Sequence, residues 1–508
     1  MMLLHEYLSR SADLAPGKTA LVCGNSRYTY RELASAADAL NGHFAASGLL
    51  RGDRIVIFLE NSFEAVVAIF GSLRAGGCIV VVNPATTPER LGYIMRNCGA
   101  KFLITSVEKL EKVQTAERLC SARPLMLLAG TSGDVNGAMS FERVLSDHHG
   151  VSPSYMIDTD LAAIIYTSGS TGSPKGVTHL HRSVDTAVDA IIEYLHNSNE
   201  DIILNTLALS SSYGLLQLLA TVKTGATLVL EKGFGLPYDI VKRIHEEKVT
   251  GFAGSPTMFA ILLRLEETAG GTFPSLRYIT NAAAAMPASF VPRLRKMFPA
   301  TQIYLMHGCT ECFRTTYLPP GEVETRPTSV GRGMTNVELW IADADGNPAP
   351  IGETGEMMVR GSTLMAGYWN DPESTAKALR PGRYPWEKSL RTGDLFRMDE
   401  DGYFYFVARS DEIIKSKGEK VSPVEVEDVI LRLSAVMEVR VIGVPDDILG
   451  QAIQAEIVLK ENKTLTPEEV KRHCREFLED FKVPRFVKFT ASLPKTMGGK
   501  IKRSADTR

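Results

Sequence analysis

The sequence predicts an α/β fold: a large N-terminal domain of mostly parallel sheets covered by helices, followed by a small C-terminal α+β domain. Three observations carry that expectation. Short β-branched runs alternate with longer segments of helical period along most of the chain, the rhythm of βαβ units. A length of 508 residues exceeds what one hydrophobic core usually organises. From Gly355 the texture becomes strand-like and turn-rich, and a fresh set of helices and strands then begins.

Taken in order, "MMLLHEYLSRSADLAPGK" reads as a short amphipathic helix, without the basic and apolar regions of a secretory signal. "RIVIFLE" from Arg54 is a strand, a helix runs through Ala65 to Ala75, and "CIVVV" from Cys78 is the next strand. Thr87, followed by Pro88 and Glu89, caps a helix start, and "TPEEV" at Thr466 repeats the device. "LAAIIY" is a strand that leads into "YTSGSTGSPKGVTH", and a helix follows His181. In the last part, strands in "GEMMVRG" and "DGYFYFVARSDEIIK" precede a helix from about Pro423, strands "VMEVRVIGV" and "IQAEIVL", a helix from Pro467 and strand "RFVKFT". Strand signal gives way to charged residues without periodicity at Arg409, Ser410 and Asp411. The expected division is therefore 1–408, a connection at 409–411, and 412–508.

Composition narrows the function. Hydrophobic residues at 44% and charged residues at 23% are ordinary for a globular protein. A net charge of −3, with no basic stripe interleaved with aromatics, argues against nucleic-acid binding. No apolar run approaches the roughly 20 residues of a membrane span. Seven scattered cysteines suit a reducing compartment, so a cytoplasmic location is expected.

The serine, threonine and glycine loop after Tyr166 points to chemistry. Small residues let backbone N–H groups approach a polyphosphate, and the hydroxyls and the Lys175 ammonium add donors and charge. Such stretches are most often solvated linkers, but this one joins a buried strand to a helix. Its glycines do not stand as in the Walker pattern, so it is a different phosphate loop.

"YTSGSTGSPKGV" resembles the signature of the acyl-adenylate-forming superfamily, which includes acyl-CoA synthetases, nonribosomal-peptide adenylation domains and luciferases. "HGCTE" from His307, "GEMMVRG" from Gly355, "RTGD" from Arg391, "ARSDEIIKSKGEKVSPVEVE" from Ala408 and "LPKTMGGKIKR" from Leu493 follow in the family's order, so the resemblance spans nearly the whole chain. It implies two half-reactions: a carboxylate attacks the α-phosphorus of ATP to give acyl-AMP and pyrophosphate, then a thiol displaces AMP. The first brings two anions together; unit charges about 4 Å apart repel by about 4 kcal/mol at an effective dielectric of about 20, so cations and N–H dipoles are needed.

By that resemblance Thr167, Ser168, Gly169, Ser170, Thr171, Gly172 and Lys175 cradle phosphate, Thr310 touches phosphate, and Glu311 binds Mg²⁺. Asp394 and Arg409 hold the ribose, with Ala283, His307 and Gly308 beside the adenine. Lys500 bridges the carboxylate and the α-phosphate. The small domain is implied to be mobile, rotating about Asp411 so that Lys415 and Gly418 line the thiol's approach. The thiol is CoA or, acting in trans, the phosphopantetheine of a carrier protein; a catalytically silent nucleotide- or acyl-binding protein is a third reading. Lys500, Glu311, Asp394 and a complete loop argue against the silent one.

Several positions depart from the family. His307 stands where relatives commonly have a tyrosine against adenine, "NAAAAMP" from Asn281 replaces a glycine-bearing segment, and "LSSSYG" lacks a frequent histidine. "LSSSYG" also lacks the aspartate that pairs an α-ammonium in amino-acid-activating relatives, which favours a plain carboxylic acid. Ser211, Tyr213, Gly214, Ser255 and Pro256 are the expected pocket. Cys309 and Cys312 have C-x-x-C spacing, but no second pair completes a zinc set, so the spacing reads as fortuitous. His179 and His181 read as polar residues at a helix start, and Met306 and Met334 as core filler.

Overall fold

Capping and apolar patterning place the helices. In the computed structural model, which describes residues 1–120, 123–147, 151–167, 174–265, 273–416, 419–446, 450–495 and 501–503, the Thr87 hydroxyl accepts from Arg90 N–H at the start of the Pro88–Cys98 helix. Gly99 closes that helix in the left-handed region. Thr466 and Glu469 form a reciprocal capping box on the Pro467–Phe477 helix. The N-terminal amphipathic segment is helical over Glu6–Leu14.

The described strands form three sheets. In the first, Arg54–Phe58 pairs in parallel with Cys78–Val81 and Ala100–Ser106, and Cys78–Val81 pairs in parallel with Leu161–Thr167 (β1). β1 then meets Lys175–Leu180 (β2) antiparallel, with Thr167 opposite Lys175 and Tyr166 opposite Gly176. This corrects the expected strand-to-helix passage: the serine and glycine loop joins two strands of a hairpin, and the helix His181–Leu195 (α1) begins only after β2. Val177 and Thr178 are β-branched and buried, which suits a strand facing a packed surface on both sides.

The large sheet is parallel through its centre, closes at one edge with the antiparallel pair Thr19–Cys23 and Ser26–Thr29, and is antiparallel throughout its other end. The helix Ser212–Thr224 (α2) covers the parallel part, where Tyr278–Asn281 (β3) pairs in parallel with Gln302–His307 (β4). From Thr316–Leu318 (β5) onward every pairing in this sheet is antiparallel. The short strand Gly367–Tyr368 (β6) instead crosses to the first sheet and pairs with β2. Lys388–Met398 (β7) and Phe404–Arg409 (β8) return to the large sheet as neighbours. "Mostly parallel" thus holds up to about His307, and the antiparallel part begins earlier than the change of texture at Gly355.

Each part has its own core. Tyr7, Tyr30, Phe44, Phe70 and Phe102 anchor one cluster of the large domain, and Phe252, Phe259 and Phe298 another. Val426, Ile430, Val441, Ile457 and Val470 make a separate core beneath the C-terminal five-stranded sheet. Burying one such side chain is worth about 1.5–3 kcal/mol. Its links to the large domain include Ser422 Oγ donating to Val407 O and Ala288 N–H donating to Asp428 Oδ1 at 3.3 Å. Among the described residues no helix is long and apolar enough to cross a membrane.

Candidate active site

Thr167, Asn281 and His307 end strands β1, β3 and β4, the carboxyl edge where parallel sheets open crevices. On one side of that edge, β2 and β6 lock three expected residues into one group. Trp369 N–H donates to Gly176 O at 2.7 Å, and Met365 N–H donates to Glu311 O at 2.7 Å. The Tyr368 hydroxyl donates to Glu311 Oε1 at 2.8 Å. Lys175 Nζ donates to Ser374 Oγ at 2.9 Å and stands 5.2 Å from the centroid of the Tyr368 ring. Burial first, and then the Glu311 charge, push the Tyr368 phenol far above its ordinary range, so it remains a donor. Among the described residues Lys175 has no carboxylate within ion-pair distance, which leaves its charge for an anion.

His179 belongs to this group and not to a helix start. It is fully buried on β2, and its Nε2 lies 2.8 Å from Thr310 O. A carbonyl only accepts, so Nε2 carries the proton; burial pushes the imidazole down to about 4 and keeps it neutral. His181 opens α1, buried, with Nδ1 accepting from Leu4 N–H at 3.2 Å.

On the other side, both nitrogens of His307 are engaged. Nδ1 lies 2.8 Å from Thr315 Oγ1 and Nε2 lies 3.0 Å from Asp394 Oδ2. Asp394, on β7, is 5% exposed and faces Arg409 on β8, whose Nη1 lies 3.7 Å from Oδ1. Arg409 Nε lies 3.4 Å from Asp411 Oδ1 in the turn beyond β8. The His307 ring meets Phe396 edge-on at 4.8 Å and lies near-parallel to Phe406 at 6.3 Å. Gly308 permits a tight turn, because a Cβ there would stand 2.2 Å from Phe313 O. Ala283 is exposed with φ 74°, the left-handed conformation that glycine adopts freely.

The expected pocket residues divide by role. Ser211 caps α2, accepting from Gly214 N–H at 3.0 Å, and Ser255 caps the Pro256–Leu262 helix, with Pro256 in its first turn. A Cβ on Gly214 would come 2.3 Å from Ala208 O, so that turn requires glycine. Tyr213 is buried, its hydroxyl 2.6 Å from Thr280 Oγ1 on β3. Arg314 joins it, unforeseen from sequence: 2% exposed, with its guanidinium 4.9 Å from the Tyr213 ring centroid. The signal available was a lone arginine between Phe313 and a run of threonines at the entry to a strand.

Met306 and Met334 are buried. Cys309 and Cys312 are free thiols with sulfurs 3.3 Å apart, and the hydrogen bond between them, then burial, raise the Cys309 thiol well above its ordinary value. Among the described residues no group of three histidine, cysteine, aspartate or glutamate side chains could hold a metal ion. A lone hard carboxylate at Glu311 suits Mg²⁺ that is carried mainly by phosphate oxygens. Lys415 lies on the Ile414–Ser416 strand, its N–H donating to Gln451 Oε1 at 2.8 Å. Ser168, Gly169, Ser170, Thr171, Gly172, Gly418 and Lys500 lie outside the described residues.

A profile of AMP-binding enzymes matches residues 8–369, and one of the AMP-binding enzyme C-terminal domain matches residues 425–500. A long-chain-fatty-acid–CoA ligase of Yersinia pestis is 31% identical, covering 94% of this chain and 88% of that protein. The anthranilate CoA ligase AuaEII, solved in complex with anthranoyl-AMP, superposes with a TM-score of 0.91 at 28% identity, covering 98% of this chain and 95% of that one. A benzoate CoA ligase from Burkholderia xenovorans LB400 gives 0.89 at 27% identity, with 99% of each chain covered.

Proposed function

The chain belongs to the family of AMP-binding enzymes, and from that premise we propose that it is an AMP-forming acid:CoA ligase. It activates a carboxylic acid with ATP. A carboxylate oxygen bonds to the α-phosphorus as the bond to pyrophosphate breaks; the CoA sulfur then bonds to the acyl carbon as AMP leaves, and the thiol proton passes to solvent. The observation that carries this reading is the meeting, at the ends of β1 and β4, of a lysine with no carboxylate in ion-pair range among the described residues, a hydroxyl-held glutamate and a buried aspartate facing a histidine and an arginine.

In this reading Lys175 and Thr310 receive phosphate with the loop 167–172, and Lys500 neutralises charge at the α-phosphorus. Glu311, oriented by Tyr368, would hold Mg²⁺, whose chemistry is to withdraw charge from phosphate oxygens. Asp394 accepts from the ribose hydroxyls, and His307 and Arg409 hold its carboxylate in place. Residues 409–411 join a domain of 1–408 to one of 412–508, with Asp411 as the hinge and Lys415 and Gly418 beside the incoming thiol. Tyr213, with Ser211, Gly214, Ser255, Pro256 and Ala283 around it, bounds the acid and nucleotide sites.

Pyrophosphate release and hydroxylamine trapping across a panel of acids test the proposal. Acid-dependent pyrophosphate and hydroxamate, followed by thioester when CoA is added, are expected. Absence of both products on aliphatic and aromatic acids alike overturns it. Thioester formed on a holo-carrier protein but not on CoA replaces the acceptor and leaves the first half-reaction standing.

A further inference from the structure

Beside Tyr213 in the expected acyl pocket stands a cation that no described residue neutralises. Arg314 is 2% exposed, and among the described residues no carboxylate lies within ion-pair distance of it. Its Nε is buried with no hydrogen-bond partner among them, and two positions on, Thr316 Oγ1 is in the same condition. Two phenols face the guanidinium. Tyr213 lies under it, and the Tyr194 hydroxyl is within its hydrogen-bonding reach.

Neither phenol is a counter-ion. Tyr213 OH donates to Thr280 O at 3.1 Å, Tyr194 OH donates to Met306 Sδ at 3.1 Å, and burial raises both above the ordinary tyrosine value although the Arg314 charge opposes it. Arg440, also buried, shows the usual arrangement: its Nη2 pairs with Glu456 at 2.6 Å. A guanidinium taken out of water without an anion is costly, as is a hydroxyl buried without a partner. The backbone beside it is also strained, with Phe313 at φ 62°.

Resting on the ligase reading above, we propose that Arg314 determines which acid is taken: the substrate is a dicarboxylic acid, or an acid with an equivalent second anion. That second group pairs with the Arg314 guanidinium and the Thr316 hydroxyl, while the first carboxylate faces ATP. Such an acid supplies together the partners that the Arg314 cation and the Thr316 hydroxyl lack among the described residues.

The test compares aliphatic and aromatic dicarboxylic acids with their half-esters. kcat/KM is read from pyrophosphate release, and binding without ATP from calorimetry. The wild-type enzyme is expected to favour the diacid over its half-ester by about 10²-fold, the usual loss when a buried charge pair forfeits one member. Arg314→Met is expected to lose about that factor on the diacid and a much smaller one on the half-ester, so that the preference collapses, and Arg314→Lys to recover part of it. Wild-type enzyme that uses half-esters or monoacids as well as diacids overturns the inference without any variant. So does an equal loss on both classes in a folded Arg314→Met or Arg314→Lys protein, because Arg314 would then hold the reacting carboxylate or the fold. The two readings fail separately. Diacid-selective binding without pyrophosphate release sinks the ligase assignment, and turnover without diacid selectivity sinks this one.

Discussion

Ala283 occupies a backbone conformation that belongs to glycine, and because it is exposed its methyl group contributes little packing in return. The left-handed region costs an L-residue roughly 1–2 kcal/mol, part of which glycine gives back through its freer unfolded chain. Ala283→Gly should therefore raise the unfolding free energy by about 0.5–1 kcal/mol, read from the midpoint of urea denaturation. A lowered midpoint contradicts the strain account. His307 makes a sharper case. His307→Phe keeps an aromatic ring but removes both hydrogen bonds, so Asp394 loses the donor at 3.0 Å. KM for ATP should rise by about tenfold with a smaller change in kcat, and the preference for ATP over 2′-deoxyATP should shrink; an unchanged preference removes His307 from ribose recognition. The motif told which residue stands there, but its partner lies 87 positions away, and no local pattern encodes that meeting. Arg314 was hidden for a related reason, since a charged side chain reads as surface until the surrounding sheet buries it.

The β2 hairpin shows what was and was not legible among the elements. Parallel strands and capped helices announced themselves through apolar runs and hydroxyl-proline-acid signals, which are local. β2 is short, begins with Lys175 and Gly176, and owes its place to pairing with β6 nearly two hundred positions later, so its strand character was masked by turn-like composition. That pairing carries a functional link, because β6 delivers the Tyr368 hydroxyl to Glu311. Tyr368→Phe retains the ring beside Lys175 and removes only the donor to a carboxylate, a bond worth about 1.5–3 kcal/mol in a buried setting. The half-saturating Mg²⁺ concentration for pyrophosphate release should rise, with an unchanged unfolding midpoint; an unaltered Mg²⁺ dependence detaches Tyr368 from Glu311's role.

For the molecule as a whole, the C-terminal sheet has a core of its own, which the proposed alternation of the two parts requires. If it brings Lys500 to ATP only during the first half-reaction, Lys500→Ala should abolish acyl-AMP formation while thioester formation from supplied acyl-AMP persists; equal loss of both rejects the alternation. Acid should also loosen the large domain. Burial holds His5, His179 and His181 at about 4 against 6.5 for a free imidazole. The unfolded chain then binds protons that the folded chain refuses, so their contribution is full above pH 6.5 and falls as the pH drops toward 4. Urea midpoints should decline across that window, and a flat profile from pH 7 to 4.5 contradicts it. Finally, Trp369 touches the loop's carrier strand: its main chain binds Gly176 and its indole N–H donates to Asn97 O at 3.0 Å, while Trp386 is 79% exposed. With Trp340 and Trp386 replaced by phenylalanine, the remaining fluorophore becomes a built-in optical probe, and stopped-flow emission can follow nucleotide arrival and departure in real time with no dye attached.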